Sequence, residues 1–78
     1  MHQFYVQFHS LRDVQDFVTL ASSQKNRMIV GTDRFHVNAT SFMSLFALNC
    51  RTPLRVTAYC SEDELEALKV VFARFLVL

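Results

Sequence analysis

Two segments, residues 4–9 and 54–60, alternate strictly between apolar and polar side chains, and this period of two constrains the fold more than any other feature. Such alternation predicts a strand with one buried face. The opposite faces carry Tyr5, Gln7, Arg55, Thr57 and Tyr59. Because a sheet covered on both sides would show continuous apolar runs, the sequence predicts an antiparallel sheet with helices on one face only.

Three further segments have apolar residues three and four positions apart, which is typical of helices with one buried face. They cover residues 11–21, 40–48 and 61–75. We expect Ser10 to cap the first helix, and Thr40 or Ser41 the second. The third begins with a capping box, Ser61-Glu62-Asp63-Glu64. The first apolar stripe consists of Leu11, Val14, Phe17, Val18 and Ala21, and the third of Leu65, Leu68, Phe72 and Phe75.

A hairpin is predicted between the first two helices. Two short β-rich runs, residues 27–30 and 34–37, flank Gly31-Thr32. Glycine at the first central position of a two-residue loop favours a type II′ turn. The complete element order is then β-α-β-β-α-β-α, which indicates a two-layer α+β sandwich. This order is compatible with more than one architecture, including the ferredoxin-like split βαβ.

Length and composition exclude several classes of protein. The chain has 78 residues, a net charge of +1 and 51% hydrophobic residues, which predicts a single domain over residues 1–78. The near-neutral charge argues against nucleic-acid binding, and no apolar run is long enough to cross a membrane. Without a signal-peptide pattern, we expect a cytoplasmic protein. Cys50 and Cys60 lack metal-ligand spacing, so we expect no metal, cofactor or disulfide.

The segment from residue 37 to residue 48, Val-Asn-Ala-Thr-Ser-Phe-Met-Ser-Leu-Phe-Ala-Leu, resembles the second-helix region of the phosphocarrier protein HPr. That family reads Val-Asn-x-Lys-Ser-Ile-Met-Gly-x-x-Ser-Leu there. The similarity extends more weakly over nearly the whole chain. It implies an HPr-like open-faced sandwich, a four-stranded antiparallel sheet with three helices on one face.

In HPr proteins the phosphoacceptor histidine lies at the start of the first helix, in a His-x-Arg-Pro motif. It receives a phosphoryl group from enzyme I and passes it to sugar-transport enzymes. Alignment on the first helix places Ser10-Leu11-Arg12-Asp13 at this motif, so Arg12 matches the arginine and Ser10 replaces the histidine. His9, one residue earlier, is the candidate displaced phosphoacceptor. The alternatives are an exposed strand residue for His9, a helix cap for Ser10 and a solvated side chain for Arg12.

The resemblance also implies a role for Ser41, because the matching serine of Gram-positive HPr proteins is phosphorylated by a dedicated kinase. Phe42, Met43 and Phe46 match the apolar patch on which enzyme I, the HPr serine kinase and the catabolite-control repressor dock. We expect these three side chains to point at least partly outward, since Leu45 and Leu48 face the sheet. The alternatives are a simple helix cap for Ser41 and core packing for the aromatic residues.

Two functional hypotheses follow. The first is an HPr-like regulatory or binding module of the bacterial sugar phosphotransferase system, which acts through the second-helix surface around Ser41. The second is a phosphoryl carrier that uses His9. Neither is an autonomous enzyme, since the sequence contains no nucleophile–base pair, phosphate loop or metal cluster. Residues 70–78 are more apolar than one buried helix face requires, which makes a homodimer through the C-terminal helix plausible.

Overall fold

One layer of the protein is a four-stranded antiparallel sheet. The computed structural model describes residues 1–48 and 52–77. Its strands are β1 (His2–Val6), β2 (Met28–Gly31), β3 (His36–Asn38) and β4 (Leu54–Ala58). They pair in the order β1-β4-β2-β3, and each neighbouring pair is antiparallel. With β1 at an edge of the sheet, this is not the ferredoxin-like arrangement.

The second layer consists of helices. These are α1 (Leu11–Ser22), α2 (Phe42–Ala47), α3 (Glu62–Val71) and a short 3-10 helix, η1 (Ala73–Phe75). The predicted third helix therefore ends earlier than its apolar stripe. Phe72 caps α3 and Phe75 lies in η1, yet both rings are buried. No helix among the described residues is long and apolar enough to cross a membrane.

The core lies between the helices and one face of the sheet, as the strand alternation predicts. The buried residues of the sheet are Phe4, Val6, Met28, Val30, Leu54, Val56 and Ala58. Against them pack the buried residues of the helical layer, namely Val14, Phe17, Ala21, Leu45, Leu65, Leu68, Phe72 and Phe75. The other face of the sheet carries exposed Gln3 and Tyr5. The two-layer, open-faced α+β sandwich is thereby confirmed.

Phe17 is the centre of an aromatic cluster in this core. Its ring centroid lies 5.1 Å from that of Phe8, 4.8 Å from that of Phe72 and 5.6 Å from that of Phe75. These four rings belong to α1, to the segment after β1, to the end of α3 and to η1. Such tilted and edge-on contacts stabilise a core beyond the area that they bury. The cluster therefore joins both ends of the chain to the first helix.

The caps of α1 and α3 follow the sequence prediction. The Ser10 hydroxyl accepts a hydrogen bond from the backbone N–H of Asp13. At α3 the capping box is complete, because Ser61 N–H donates to Glu64 Oε1 at 2.9 Å and Glu64 N–H donates to the Ser61 hydroxyl at 3.2 Å. The first of these bonds is the main reason why the pKa of Glu64 is lowered to about 2.

Two details of the first helix and strand differ from the prediction. Leu11, assigned to the buried stripe, is the first residue of the helix and is 54% exposed. The first strand ends at Val6 rather than at His9. After Val6 the chain remains paired with the C-terminal segment, since Gln7 N–H donates to the carbonyl of Phe75. Val77 N–H donates in turn to the carbonyl of Tyr5, so the C-terminal segment lies along β1.

The predicted type II′ turn at Gly31-Thr32 is wrong. Gly31 is the last residue of β2 and pairs with His36, so the loop has four residues, 32–35. Gly31 does not have a positive φ. Glycine is required there for a different reason: a Cβ would collide with the carbonyl oxygen of Phe35, which accepts a hydrogen bond from Thr32 N–H at 2.9 Å.

The second helix is also shorter than predicted. It spans six residues, begins after Ser41 rather than at Thr40, and has Leu48 at its C-cap. Asn49, the predicted end of this helix, lies outside the described residues, as do Cys50 and Leu78.

We expect Gly31→Ala to lower the free energy of unfolding by about 1–3 kcal/mol, because its Cβ must displace the Phe35 carbonyl. Gly31→Asn is the matched variant, since Asn tolerates a left-handed backbone but carries the same Cβ. Urea unfolding should find the Asn variant no more stable than the Ala variant. An Asn variant that is clearly the more stable of the two would instead indicate a left-handed Gly31.

Candidate functional site

The start of α1 places His9 and Ser10 at the position that the first-helix motif predicts. The His9 side chain is exposed, and its backbone N–H donates to Asp13 Oδ2 at 2.9 Å. Asp13 N–H donates in turn to the hydroxyl of Ser10 at 3.2 Å. The carboxylate of Asp13 therefore lies at the start of the helix and accepts from the backbone of the candidate phosphoacceptor itself.

Two arginines are brought to the same place. Arg12 Nε donates to Asp16 Oδ1 at 3.1 Å in an i,i+4 ion pair. Arg74 contacts both acidic residues, with Nη2 2.6 Å from Asp13 Oδ1 and Nη1 3.0 Å from Asp16 Oδ2. Its guanidinium also lies over the Phe75 ring, 4.5 Å from the centroid. Two carboxylates and two guanidinium groups form one network, named the α1 ion network below.

Arg74 is the member of this network that sequence reasoning missed. It lies 61 residues from Asp13, and only the packing of η1 against α1 brings the two together. The available signal was a single cation within the apolar run of residues 70–78. The sequence therefore shows that Arg74 is charged but does not show that it pairs with Asp13.

The α1 ion network favours the ionised form of Asp16. Hydrogen bonds from Arg74 and then from Arg12 lower the pKa of Asp16 below its usual value of 3.8. At neutral pH the two carboxylates and the two guanidinium groups offset one another in charge, and each guanidinium group already has a carboxylate partner. A phosphoryl group on His9 would have to share Arg12 with Asp16, which accepts from the Nε–H of that arginine.

The start of α2 holds Ser41, whose hydroxyl does not cap the helix. Ser41 Oγ donates instead to Ser44 Oγ at 2.9 Å. The preceding turn is closed by Asn38, whose side-chain oxygen accepts from Thr40 N–H at 2.9 Å and from the Thr40 hydroxyl at 2.7 Å. Ser41 is therefore the N-cap residue of α2, as predicted, but its side chain makes no hydrogen bond to the helix backbone. Its hydroxyl is half-buried and held by one neutral hydrogen bond.

The aromatic residues of α2 point outward as expected, to different degrees. Met43 is 71% and Phe46 is 55% exposed, whereas Leu45 is fully buried. Phe42 is half-buried against the core and stacks on Phe46, with the ring centroids 6.1 Å apart and the planes nearly parallel. Phe42, Met43 and Phe46, called the α2 patch below, therefore form one continuous apolar surface next to Ser41.

Beside the α2 patch is an open groove of about 600 Å³ between α2 and the β2–β3 loop. It is lined by Thr32, Phe35, Val37, Ser44, Ala47 and Leu48. Phe35, in the loop, is 62% exposed. Sequence reasoning missed this groove because it assigned Phe35 to the interior of a strand.

Within residues 1–48 and 52–77, no three His, Cys, Asp or Glu side chains are grouped so that they could hold a metal ion. Cys60 is a free, half-buried thiol.

The comparisons with known proteins agree with this geometry. The crystal structure described as HPr-C-His from Thermoanaerobacter tengcongensis superimposes with a TM-score of 0.75 at 25% sequence identity. The match covers 96% of this chain and 91% of that chain. No family model and no curated protein matches the sequence.

A four-stranded antiparallel sheet in the order β1-β4-β2-β3, with three helices on one face, is the open-faced sandwich of small phosphocarrier domains. The chain therefore has the HPr-like fold.

The lowered pKa of Asp16 predicts how the stability of the protein depends on pH. A carboxyl whose pKa is lower in the folded state stabilises the fold above its unfolded pKa, near 3.8, and loses this effect as the pH falls through the folded value. Asp16→Asn should therefore make the loss of stability below about pH 4 less steep than in the unsubstituted protein. Urea unfolding at a series of pH values measures this slope.

Arg74→Ala and Arg12→Ala are the companion variants. Because Arg74 is the larger cause of the lowered pKa, its removal should flatten the acid slope more than removal of Arg12. If stability falls equally steeply with pH in the unsubstituted protein and in all three variants, the α1 ion network does not contribute to acid unfolding.

Proposed function

We propose that this chain is an HPr-like binding module of the phosphotransferase system that acts through the α2 patch around Ser41, and that it is not a phosphoryl carrier. The observation that carries the proposal is the α1 ion network. Arg12 and Arg74, the two arginines at the start of the first helix, already pair with Asp13 or Asp16, and these carboxylates would compete with a phosphoryl group for them.

The electrostatic argument concerns the product of phosphorylation. A phosphorylated side chain carries close to two negative charges at neutral pH and needs donors that are free to turn toward it. Beside His9 the first charge met is the carboxylate of Asp13, which accepts from the His9 backbone. Arg12, the residue that matches the family arginine, donates its Nε–H to Asp16. Both features disfavour phosphohistidine at this position.

The α2 patch is suited to binding a protein. Exposed phenylalanine and methionine side chains next to one another are typical of interaction sites, because they bury much area and adapt to a partner. Ser41 lies at the edge of this surface, and its hydroxyl donates to the Ser44 hydroxyl. Phosphorylation of Ser41 would cost that one neutral hydrogen bond, worth about 1 kcal/mol.

Modification of Ser41 would change which partner binds. A phosphate adds a charge of about −1.5 to −2 beside apolar side chains. It would repel a partner that needs a dry apolar contact and attract one that offers arginine or lysine. By resemblance, the proposed partners are enzyme I, the HPr serine kinase and a catabolite-control repressor. The proposed setting is the cytoplasm of a bacterium that takes up sugars through a phosphotransferase system.

One observation favours the second candidate function, a carrier that uses His9. Its imidazole is exposed, directly before the first helix, so enzyme I could reach it. We expect no transfer: incubation with enzyme I and phosphoenolpyruvate should leave the chain without acid-labile phosphate by mass spectrometry. An authentic HPr carrier in the same mixture is the positive control. If the chain does acquire acid-labile phosphate, and if His9→Ala abolishes it, the chain is a phosphoryl carrier and the binding-module proposal is wrong.

Because the α2 patch is exposed, we expect a substitution there to weaken partner binding without much loss of stability. Phe46→Ala should cost little stability, because the ring is largely exposed, whereas Phe17→Ala should cost about 3–5 kcal/mol, because that ring is fully buried. The same Phe46→Ala variant should slow phosphorylation of Ser41 by HPr serine kinase by about tenfold or more, the effect of losing an interface anchor.

Ser41→Ala and Ser44→Ala are the matched controls for that assay. The first should abolish incorporation of phosphate, and the second should keep it. If Phe46→Ala unfolds at as low a urea concentration as Phe17→Ala, the ring is part of the core and the docking surface lies elsewhere.

A further inference from the structure

A row of residues crosses the open face of the sheet from β1 through β4 to β2. Tyr5 of β1 pairs with Arg55 of β4, and Arg55 pairs in turn with Gly31 of β2. The neighbours of Arg55 in β4, Leu54 and Val56, are buried on the other face, so the Arg55 side chain lies on the open face. Because Gly31 has no side chain, β2 contributes no side-chain atoms to this row beside Arg55.

An open pocket of about 220 Å³ lies at this place. The Arg55 side chain is only 25% exposed, whereas the side chain of Asp33, in the β2–β3 loop, is 94% exposed. A hydrogen bond of 3.3 Å runs from Arg55 Nη1 to Asp33 Oδ1. The cation is therefore part of the pocket wall, and its carboxylate partner reaches it from the solvent side. The pocket is lined by Tyr5, Gly31, Thr32, Asp33, Pro53 and Arg55.

The polar side chains of this lining are mostly hydrogen-bond donors. A guanidinium group has five N–H donors and no acceptor, and a tyrosine hydroxyl can also donate. The Thr32 hydroxyl accepts from the backbone N–H groups of Arg34 and Phe35, each at 3.3 Å, so its own O–H is the group that it can offer to a ligand. Asp33 is the one member of this lining with a negative charge. Such a wall fits a ligand that brings a negatively charged acceptor.

We propose that this pocket, called the Arg55 pocket below, binds the carboxylate of a small aromatic acid in competition with the carboxylate of Asp33. Asp33 indicates the chemical class of the ligand, because a carboxylate already accepts from Arg55 there. A carboxylate that approaches without the constraint of a loop can accept two parallel hydrogen bonds from one guanidinium group. The proposal concerns the open face of the sheet and thus goes beyond the function proposed for the α2 patch.

The remaining wall of the Arg55 pocket suits an aromatic ring. The ring of Tyr5 is 47% exposed and lies directly across the strand pair from Arg55. Pro53 adds a second apolar surface. A planar ring can stack on Tyr5 in an offset or edge-on arrangement while its carboxylate faces Arg55. For an acid as small as benzoate we expect a dissociation constant of about 1–10 mM.

Asp33 is a weak competitor. Ion pairs with a largely exposed member contribute little, because solvent screens them and the long side chains lose freedom. A ligand therefore displaces Asp33 at small cost, and the loop carboxylate should reduce the affinity by roughly fivefold at most.

Titration of the isotope-labelled complete chain with benzoate, followed by amide NMR, tests the proposal. Saturable shift changes should be concentrated at Tyr5, Arg55 and residues 31–33. Benzamide, which has the ring without the charge, and acetate, which has the carboxylate without the ring, should each bind about fivefold more weakly or less. The absence of saturable changes up to about 50 mM benzoate overturns the proposal, and so does an equal response to benzoate and to either of the other two compounds.

Two substitutions separate the roles of the charges. Arg55→Gln should weaken benzoate binding about tenfold or more. Asp33→Asn should strengthen it by about two- to fivefold, because the competing charge is removed. Arg27→Gln and Asp63→Asn are the matched controls, since they change the net charge equally at exposed residues outside the pocket lining and should leave the affinity unchanged.

Asp33→Asn keeps the test decisive if Arg55→Gln does not fold, because the Asp33 side chain is almost fully exposed. If Asp33→Asn binds benzoate no more tightly than Asp63→Asn does, Asp33 does not compete and the proposal is wrong. Failure is distinguishable from failure of the proposed function, since the titrations contain neither enzyme I nor a kinase and the assays of the α2 patch contain no aromatic acid.

Discussion

The packing of the Phe17 ring against Phe8, Phe72 and Phe75 holds the other parts of this small domain together. These contacts fix α1 over the sheet and bring the end of the chain back to its beginning. Because Arg74 directly precedes Phe75, the same contacts place its guanidinium between Asp13 and Asp16. The charge arrangement at the first helix is thus a consequence of the aromatic core, and a substitution at Phe17 would affect both.

Local patterns in the sequence predicted the elements well, and contacts between distant residues account for the differences. The period of two in β1 and β4 and the capping box at Ser61 depend on neighbouring residues alone, so both could be predicted. Gly31 could not be interpreted in this way, because its requirement for glycine comes from the carbonyl of Phe35 across the hairpin. The end of α3 before Phe72 and the pairing of Arg74 likewise depend on tertiary packing.

In the candidate site, too, some features could be predicted from the sequence and others could not. The exposure of Met43 and Phe46 follows from helix geometry once Leu45 is assigned to the core, and the sequence was sufficient for that assignment. The hydrogen bonds at the start of α2 were not predictable, because Asn38 closes the turn and Ser41 binds Ser44 instead of the backbone. Residues 35–48, which include α2, contain no lysine, arginine, aspartate or glutamate. The starts of α1 and α2 therefore differ in character. The start of α1 is ionic, and the surface of α2 is apolar.

The short pairing of the C-terminal segment with β1 has a consequence for how this fold meets other molecules. An open sheet edge invites a foreign strand, which is a route both to recognition and to aggregation. On the outer edge of β1, the backbone groups of Tyr5 and Gln7 are already bonded to Val77 and Phe75, and on the opposite edge β3 offers only three residues. Strand addition therefore has little backbone to use at either edge. The C-terminal segment thus shields part of the β1 edge from the templating of fibrils.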